Sequence, residues 1–183
     1  MKINVPNSYL KVFCLSFLTL VVSCKKDIKT TFENPLLQEW KGPYGGVPAF
    51  DTMDVKDIQE AVEIGMELNL AEIEAIANST EAPTFENTIE AMERSGAELD
   101  RVFSYYGIMS SNMSSPEFRK VQSILAPKLS EFSSKINQNK ALFDRIKSVY
   151  EASLITPLEA DQQRVVELIY TGFAMRGAEL NAK

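Results

Sequence analysis

Phe85-Glu86-Asn87-Thr88-Ile89-Glu90-Ala91-Met92-Glu93-Arg94-Ser95-Gly96-Ala97-Glu98-Leu99-Asp100-Arg101-Val102-Phe103-Ser104-Tyr105-Tyr106 decides the fold class. Phe85, Ile89, Met92, Gly96, Leu99, Phe103 and Tyr106 recur at spacings of four, three, four, three, four and three. That is the period of a helix face; a strand would alternate every second residue. Thr84 stands ready as the N-cap, and Glu86 in the first turn faces the positive end of the helix dipole. A stripe this narrow, with Gly96 at mid-face, predicts one long helix in close contact with an antiparallel neighbour.

The same period runs on both sides. Asp54 and Asp57 mark the start of a helix over about residues 55–78, bearing Ile58, Val62, Met66, Leu70, Ile73 and Ile76. Asn78 to Pro83 reads as a loop. Ser115 with Pro116 opens a third helix, its face formed by Phe118, Val121, Leu125, Leu129, Phe132 and Ile136. Pro127 falls inside this pattern and predicts a kink near Ser123 or Ile124. Asn139 caps a short fourth helix carrying Leu142, Phe143, Ile146, Val149 and Tyr150. Thr156-Pro157-Leu158-Glu159 has the form of a capping box and opens a fifth, bearing Val165, Val166, Ile169, Phe173 and Leu180. No strand pattern competes, so the chain is expected to be all-α, with about five helices over residues 55–183.

Upstream, residues 34–54 lack a helical period. Pro35, Gly42, Pro43, Gly45, Gly46 and Pro48 interrupt them, while Phe50, Leu36, Leu37, Trp40 and Tyr44 supply apolar weight. This predicts an extended arm that docks its aromatic side chains on the helices, preceded by a tether over 24–33. Trp40 could line a ligand groove, but anchoring the arm is the better reading.

Residues 1–23 have the form of a bacterial export signal. Lys2 and Lys11 precede an apolar run from Val12 to Val22, and no acid occurs before Asp27. The run is too short to cross a bilayer, which takes about 20 apolar residues. It ends in Val21-Val22-Ser23-Cys24, which resembles a lipobox and predicts cleavage before Cys24 and lipidation of its thiol. Cys14 leaves with the signal, so no intramolecular disulfide remains possible. The mature chain would carry 17 basic and 25 acidic residues, a net charge of −8, so acyl chains rather than charge would hold it to the membrane. The expected location is the bacterial cell envelope, on the periplasmic side or at the outer membrane.

Composition narrows the chemistry. The 183 residues include no histidine and two cysteines, which rules out a Ser-His-Asp triad, a Cys-His dyad and an H-E-x-x-H helix. The usual zinc ligand sets fail on the same count. A net charge of −6 without a basic face excludes nucleic acid as a partner. Glu60, Glu63 and Glu67 share one side of a helix, as do Glu86, Glu90 and Glu93, but without E-x-x-H partners or a Ca²⁺ loop they read as solvated faces. Tyr105-Tyr106 could bind a ligand, although Tyr106 continues the apolar stripe and is expected in the core. Asp51-Thr52-Met53 resembles a short O-glycosylation acceptor, a pattern that chance also supplies. From the residues alone, no catalytic, cofactor-binding or metal-binding position is expected in this chain.

Ala82-Pro83-Thr84-Phe85-Glu86-Asn87-Thr88-Ile89-Glu90-Ala91-Met92-Glu93-Arg94-Ser95-Gly96 resembles the N-terminal region of the thimet oligopeptidase and peptidyl-dipeptidase family. Asn34-Pro35-Leu36, the stretch from Tyr44 to Asp51, Ala126 to Ser130 and Ala141-Leu142-Phe143-Asp144-Arg145-Ile146 resemble it too, in the same order. The resemblance implies the N-terminal scaffold of a much longer all-helical zinc peptidase that admits short peptides to a channel between two lobes. In that family an H-E-x-x-H helix and a later Glu hold the zinc; neither is present here, so the chain alone is expected to be inactive. Zinc and short-peptide substrates belong to the full-length family. The alternative is a self-standing, lipid-anchored helical binding module. Because the fifth helix ends in mid-pattern, the fold is expected to be incomplete, leaving Val166, Ile169 and Phe173 uncovered.

Overall fold

A computed structural model describes residues 33–43 and 46–178. Among them every regular element is helical, and no strand occurs. A 3₁₀ turn, Pro35–Leu37, precedes α1 (Val55–Ala77). A π-helical segment, Phe85–Glu90, runs into α2 (Ala91–Arg94), followed by α3 (Ala97–Ser111). Then come α4 (Pro116–Asn137), α5 (Lys140–Ile155) and α6 (Ala160–Met175). The chain is all-α.

The starts of these helices follow local chemistry. Side-chain oxygens of Asp54, Ser115 and Asn139 accept from the backbone N–H groups of Lys56, Phe118 and Leu142, supplying partners for donors that a first turn leaves unpaired. Thr84 and Asn87 form a reciprocal box: Thr84 N donates to Asn87 Oδ1 (2.8 Å) and Asn87 N to Thr84 Oγ1 (3.2 Å).

The expected unbroken second helix is interrupted. Gly96 has φ +82°, and its N–H donates at 2.7 Å to Glu72 Oε2 of α1. Asn69 Nδ2, also from α1, donates to Ser95 Oγ at 3.1 Å. A left-handed residue cannot continue a right-handed helix, so the face downstream is reset. Leu99, Val102, Tyr105 and Met109 are buried there. The Tyr106 expectation is corrected accordingly: Tyr105 is the core residue at 1% exposure, whereas Tyr106 is half-buried against Phe118 and Phe103.

Two further boundaries differ from the sequence pattern. The last helix begins at Ala160, not at Pro157, because Gln162 Oε1 accepts from Glu159 N and moves the cap three residues on. It ends at Met175: Gly177, at φ +90°, donates to Ala174 O, and Ala178 N donates to Phe173 O, forming a Schellman cap. Leu180, expected on the same stripe, lies outside the described residues. The fourth helix is longer than expected, continuing to Ile155. In α4 the helix passes through Pro127, which lies on the solvent side.

The buried side chains form two clusters strung along α1. One joins Leu36 and Leu37 to Ile58, Val62 and Met66 of α1 and to buried residues of α3 and α4. The other joins Ile73 and Ala77 to Ile89, to Leu142, Phe143, Ile146 and Val149 of α5, and to Val166 and Phe173 of α6. Gly65 lets α1 approach α3 closely: a Cβ there would lie 3.0 Å from the Cα of Leu99.

The expectation that Val166, Ile169 and Phe173 are uncovered is overturned. Val166 and Phe173 are buried and Ile169 is half-buried, because α5 offers them Phe143 and its neighbours. Tyr150 stacks on Tyr170 with ring centres 4.2 Å apart, which further ties α5 to α6. The exposed large apolar side chains of this hairpin are instead Leu154, Ile155, Leu168 and Met175.

Candidate functional site

The densest buried polar constellation centres on Arg145 of α5, 6% exposed. Its Nη1 donates to the carbonyls of Ser79 (3.1 Å) and Glu81 (2.9 Å), and its Nη2 to Asn87 Oδ1 (2.9 Å) and Thr88 Oγ1 (3.2 Å). Asn87 Nδ2 in turn donates to Ala82 O at 2.9 Å. No carboxylate among the described residues makes an ion pair with this guanidinium, and its Nε has no hydrogen-bond partner. Neutral oxygens satisfy the remaining donors, and the planar fork holds two stretches of backbone at once. The result is a clasp that fixes the 79–88 segment and the π-helix on α5. It joins no base to a nucleophile.

Arg145 lies in the Ala141–Ile146 stretch that resembles the peptidase family, and nothing in that resemblance gives it a role. A signal was present: Leu142, Arg145, Ile146 and Val149 share one face at spacings of three, one and three.

The acidic rows are brought to separate duties. Glu63 of α1 pairs with Lys128 of α4 at 2.6 Å and accepts from Gln59. The hydrogen bond from Lys128, followed by that from Gln59, holds the Glu63 carboxyl below the usual glutamate range. Glu60 accepts from Asn34 Nδ2 at 3.1 Å, while Glu67 is exposed. On the other row, Glu90 pairs with Arg94, and Glu86 and Glu93 face solvent.

Trp40 and Phe50 lie edge-on against Tyr105, with ring centres 6.3 and 5.1 Å away, and Ala49 N donates to Tyr105 Oη at 2.9 Å. Arg101 Nη2 donates to Leu37 O, adding a polar tie between the arm and α3. Asp51 and Thr52 are exposed. Cys24 lies outside the described residues.

Open depressions mark the surface of the described residues. One, of about 460 Å³, is lined by Leu70, Ala71, Ile73, Glu74, Lys135 and Asn139; another, of about 440 Å³, lies between the 3₁₀ turn and α1. Neither gathers a nucleophile and a base. Zinc does not fit the donor set: the sequence has no histidine, and the described residues bring no three His, Cys, Asp or Glu side chains together as a metal-holding group.

These features define an all-helical domain whose buried polar groups hold its elements in register. The chain belongs to the neurolysin/thimet oligopeptidase N-terminal domain family, which matches residues 59–183. It is 34% identical over 147 residues to a dipeptidyl carboxypeptidase of Salmonella typhimurium, a match covering 80% of this chain and 22% of that protein. The Escherichia coli dipeptidyl carboxypeptidase is 33% identical over 150 residues, covering 82% of this chain and 22% of the relative. An organellar oligopeptidase A of Arabidopsis thaliana is 25% identical over 139 residues, 76% of this chain and 17% of its own length. The chain thus spans about a fifth of the curated relatives it matches.

Proposed function

We propose that this chain is the N-terminal scaffold of an exported, lipid-anchored zinc peptidase that hydrolyses short peptides as an oligopeptidase or peptidyl-dipeptidase. The observation that carries this reading is its similarity, over four-fifths of its length, to proteins named dipeptidyl carboxypeptidases of which the match covers only 22%. A sequence without histidine cannot supply an H-E-x-x-H helix, so zinc and the catalytic groups are assigned to polypeptide corresponding to the relatives' remaining length. The role assigned here is to present a rigid helical wall, with the Arg145 clasp fixing the π-helix within it.

The DNA downstream of the Lys183 codon provides the test. A continuation encoding H-E-x-x-H, in frame or after a frameshift, is the expected result; unrelated sequence after a genuine stop codon overturns it. The anchor has its own measurement: mass spectrometry of the mature protein should find an acylated Cys24, and Cys24→Ala should accumulate precursor. A product cleaved elsewhere with a free thiol removes that part of the proposal.

A second reading, a self-standing lipid-anchored binding module, draws support from the burial of Val166 and Phe173 and from the complete cap at Gly177. It predicts a cooperative, dye-negative monomer with no peptidase encoded downstream.

A further inference from the structure

Helix α6 carries two apolar stripes. Val166, Ile169 and Phe173 face the cluster shared with α5. Val165, Leu168, Gly172 and Met175, at spacings of three, four and three, form a second stripe about 100° around the helix. Val165 borders the core, but Leu168 is 53% and Met175 84% exposed. At Gly172, an added Cβ would meet only the tip of the Arg176 side chain, at 3.1 Å, so a neighbouring backbone could come close there. A surface helix needs one apolar stripe; a second at the spacing of a helix–helix seam is the pattern of a helix packed between two neighbours. The principal partners of α6 here are α5 and the π-helix, both on the first stripe's side.

We infer that the second stripe of α6 is a docking seam for an apolar helix from the polypeptide that follows the N-terminal domain in full-length relatives. This rests on the scaffold reading above. The matched region is only 22% of the relative, and the matching family is an N-terminal domain, so most of the added length follows it. The Schellman cap ends α6 just past Met175, so the second stripe runs to the end of the helix. Flanking charge favours neither an acidic nor a basic partner, since Arg164 and Glu167 neutralise each other at 2.8 Å.

The test measures methionine oxidation by dilute peroxide, read by peptide mass spectrometry. It compares the chain alone with a chimaera in which this chain replaces the matched N-terminal region of the Salmonella dipeptidyl carboxypeptidase. Met113, exposed in the α3–α4 connection, is the internal control. The expected result is a roughly tenfold slower oxidation of Met175 in the chimaera, with Met113 unchanged. Leu168→Glu/Met175→Glu should leave the melting of the isolated chain unaltered and lower the peptidase activity of the chimaera. An active chimaera in which Met175 remains fully reactive overturns the seam and leaves the scaffold reading standing. A chimaera without peptidase activity counts against the scaffold reading itself, and with it the seam. If light scattering shows the isolated chain to be a dimer that the double variant splits, the stripe serves a second copy and the inference fails.

Discussion

At the scale of single residues, Arg145 concentrates more buried hydrogen bonding than any carboxylate the sequence singled out. Arg145→Ala removes donors from two carbonyls, an amide oxygen and a hydroxyl, and hydrogen bonds to a charged group contribute about 1.5–3 kcal/mol. A loss of about 3 kcal/mol in urea denaturation is expected, a large share of a typical domain's stability. Arg145→Lys should restore only part of it, because a point ammonium cannot span both backbone stretches. Equal stability of Arg145→Ala and the parent would reduce the clasp to a bystander. The caps at Asp54, Thr84, Ser115 and Asn139 were legible in the sequence because each depends on groups within three residues of itself. The role of Arg145 was obscured because its residue type argues for the surface while its spacing places it on the core face. Of the predicted site residues, Cys24 stands apart: its case rests on the lipobox-like run alone.

At the scale of elements, what sequence missed was what distant groups impose. Nothing local in Arg94-Ser95-Gly96-Ala97 compels a break; Glu72 and Asn69 of α1 hold it, 24 and 26 residues away from their partners. The periodicity thus identified the helices but placed the core face of α3 one residue off, at Phe103 and Tyr106 in place of Val102 and Tyr105. Gly96→Ala tests the account. A left-handed conformation costs an L-residue about 1–2 kcal/mol. The new Cβ would also lie 2.9 Å from Asn69 Nδ2. A melting temperature lowered relative to the parent is expected, whereas an uninterrupted helix would be stabilised by alanine. The Glu63–Lys128 pair between α1 and α4 gives a pH signature. The carboxyl is held below its ordinary value of about 4.3, so its contribution is present above that value and fades as pH falls through the depressed one. Both side chains are partly exposed, which limits the pair to roughly 0.5 kcal/mol. Lys128→Met should lose about that much at neutral pH, and the difference should close in acid; a constant difference across the titration would refute the assignment.

At the scale of the whole molecule, the sequence yielded the all-α class and the family resemblance, but not which apolar surface stays open. The exposed stripe was expected at Val166, Ile169 and Phe173 because five helices looked too few to cover it. The aromatic stack between α5 and α6 covers that face and leaves Leu168 and Met175 outside. Val166→Asp should therefore unfold the chain, since an isolated carboxylate would be placed among side chains that offer it no partner. Retention of helical circular dichroism and a cooperative melt by this variant would contradict the burial.

Only α1, a 23-residue rod about 35 Å long, sends fully buried side chains into both clusters, and between them sits the polar contact of Asn69 with Ser95. Apolar cohesion is interrupted there, so the molecule has a built-in fault line across its spine. Slow deuterium uptake should divide the amides into two populations, one around Val62 and Val102, the other around Ile146 and Val166, each opening at its own free energy.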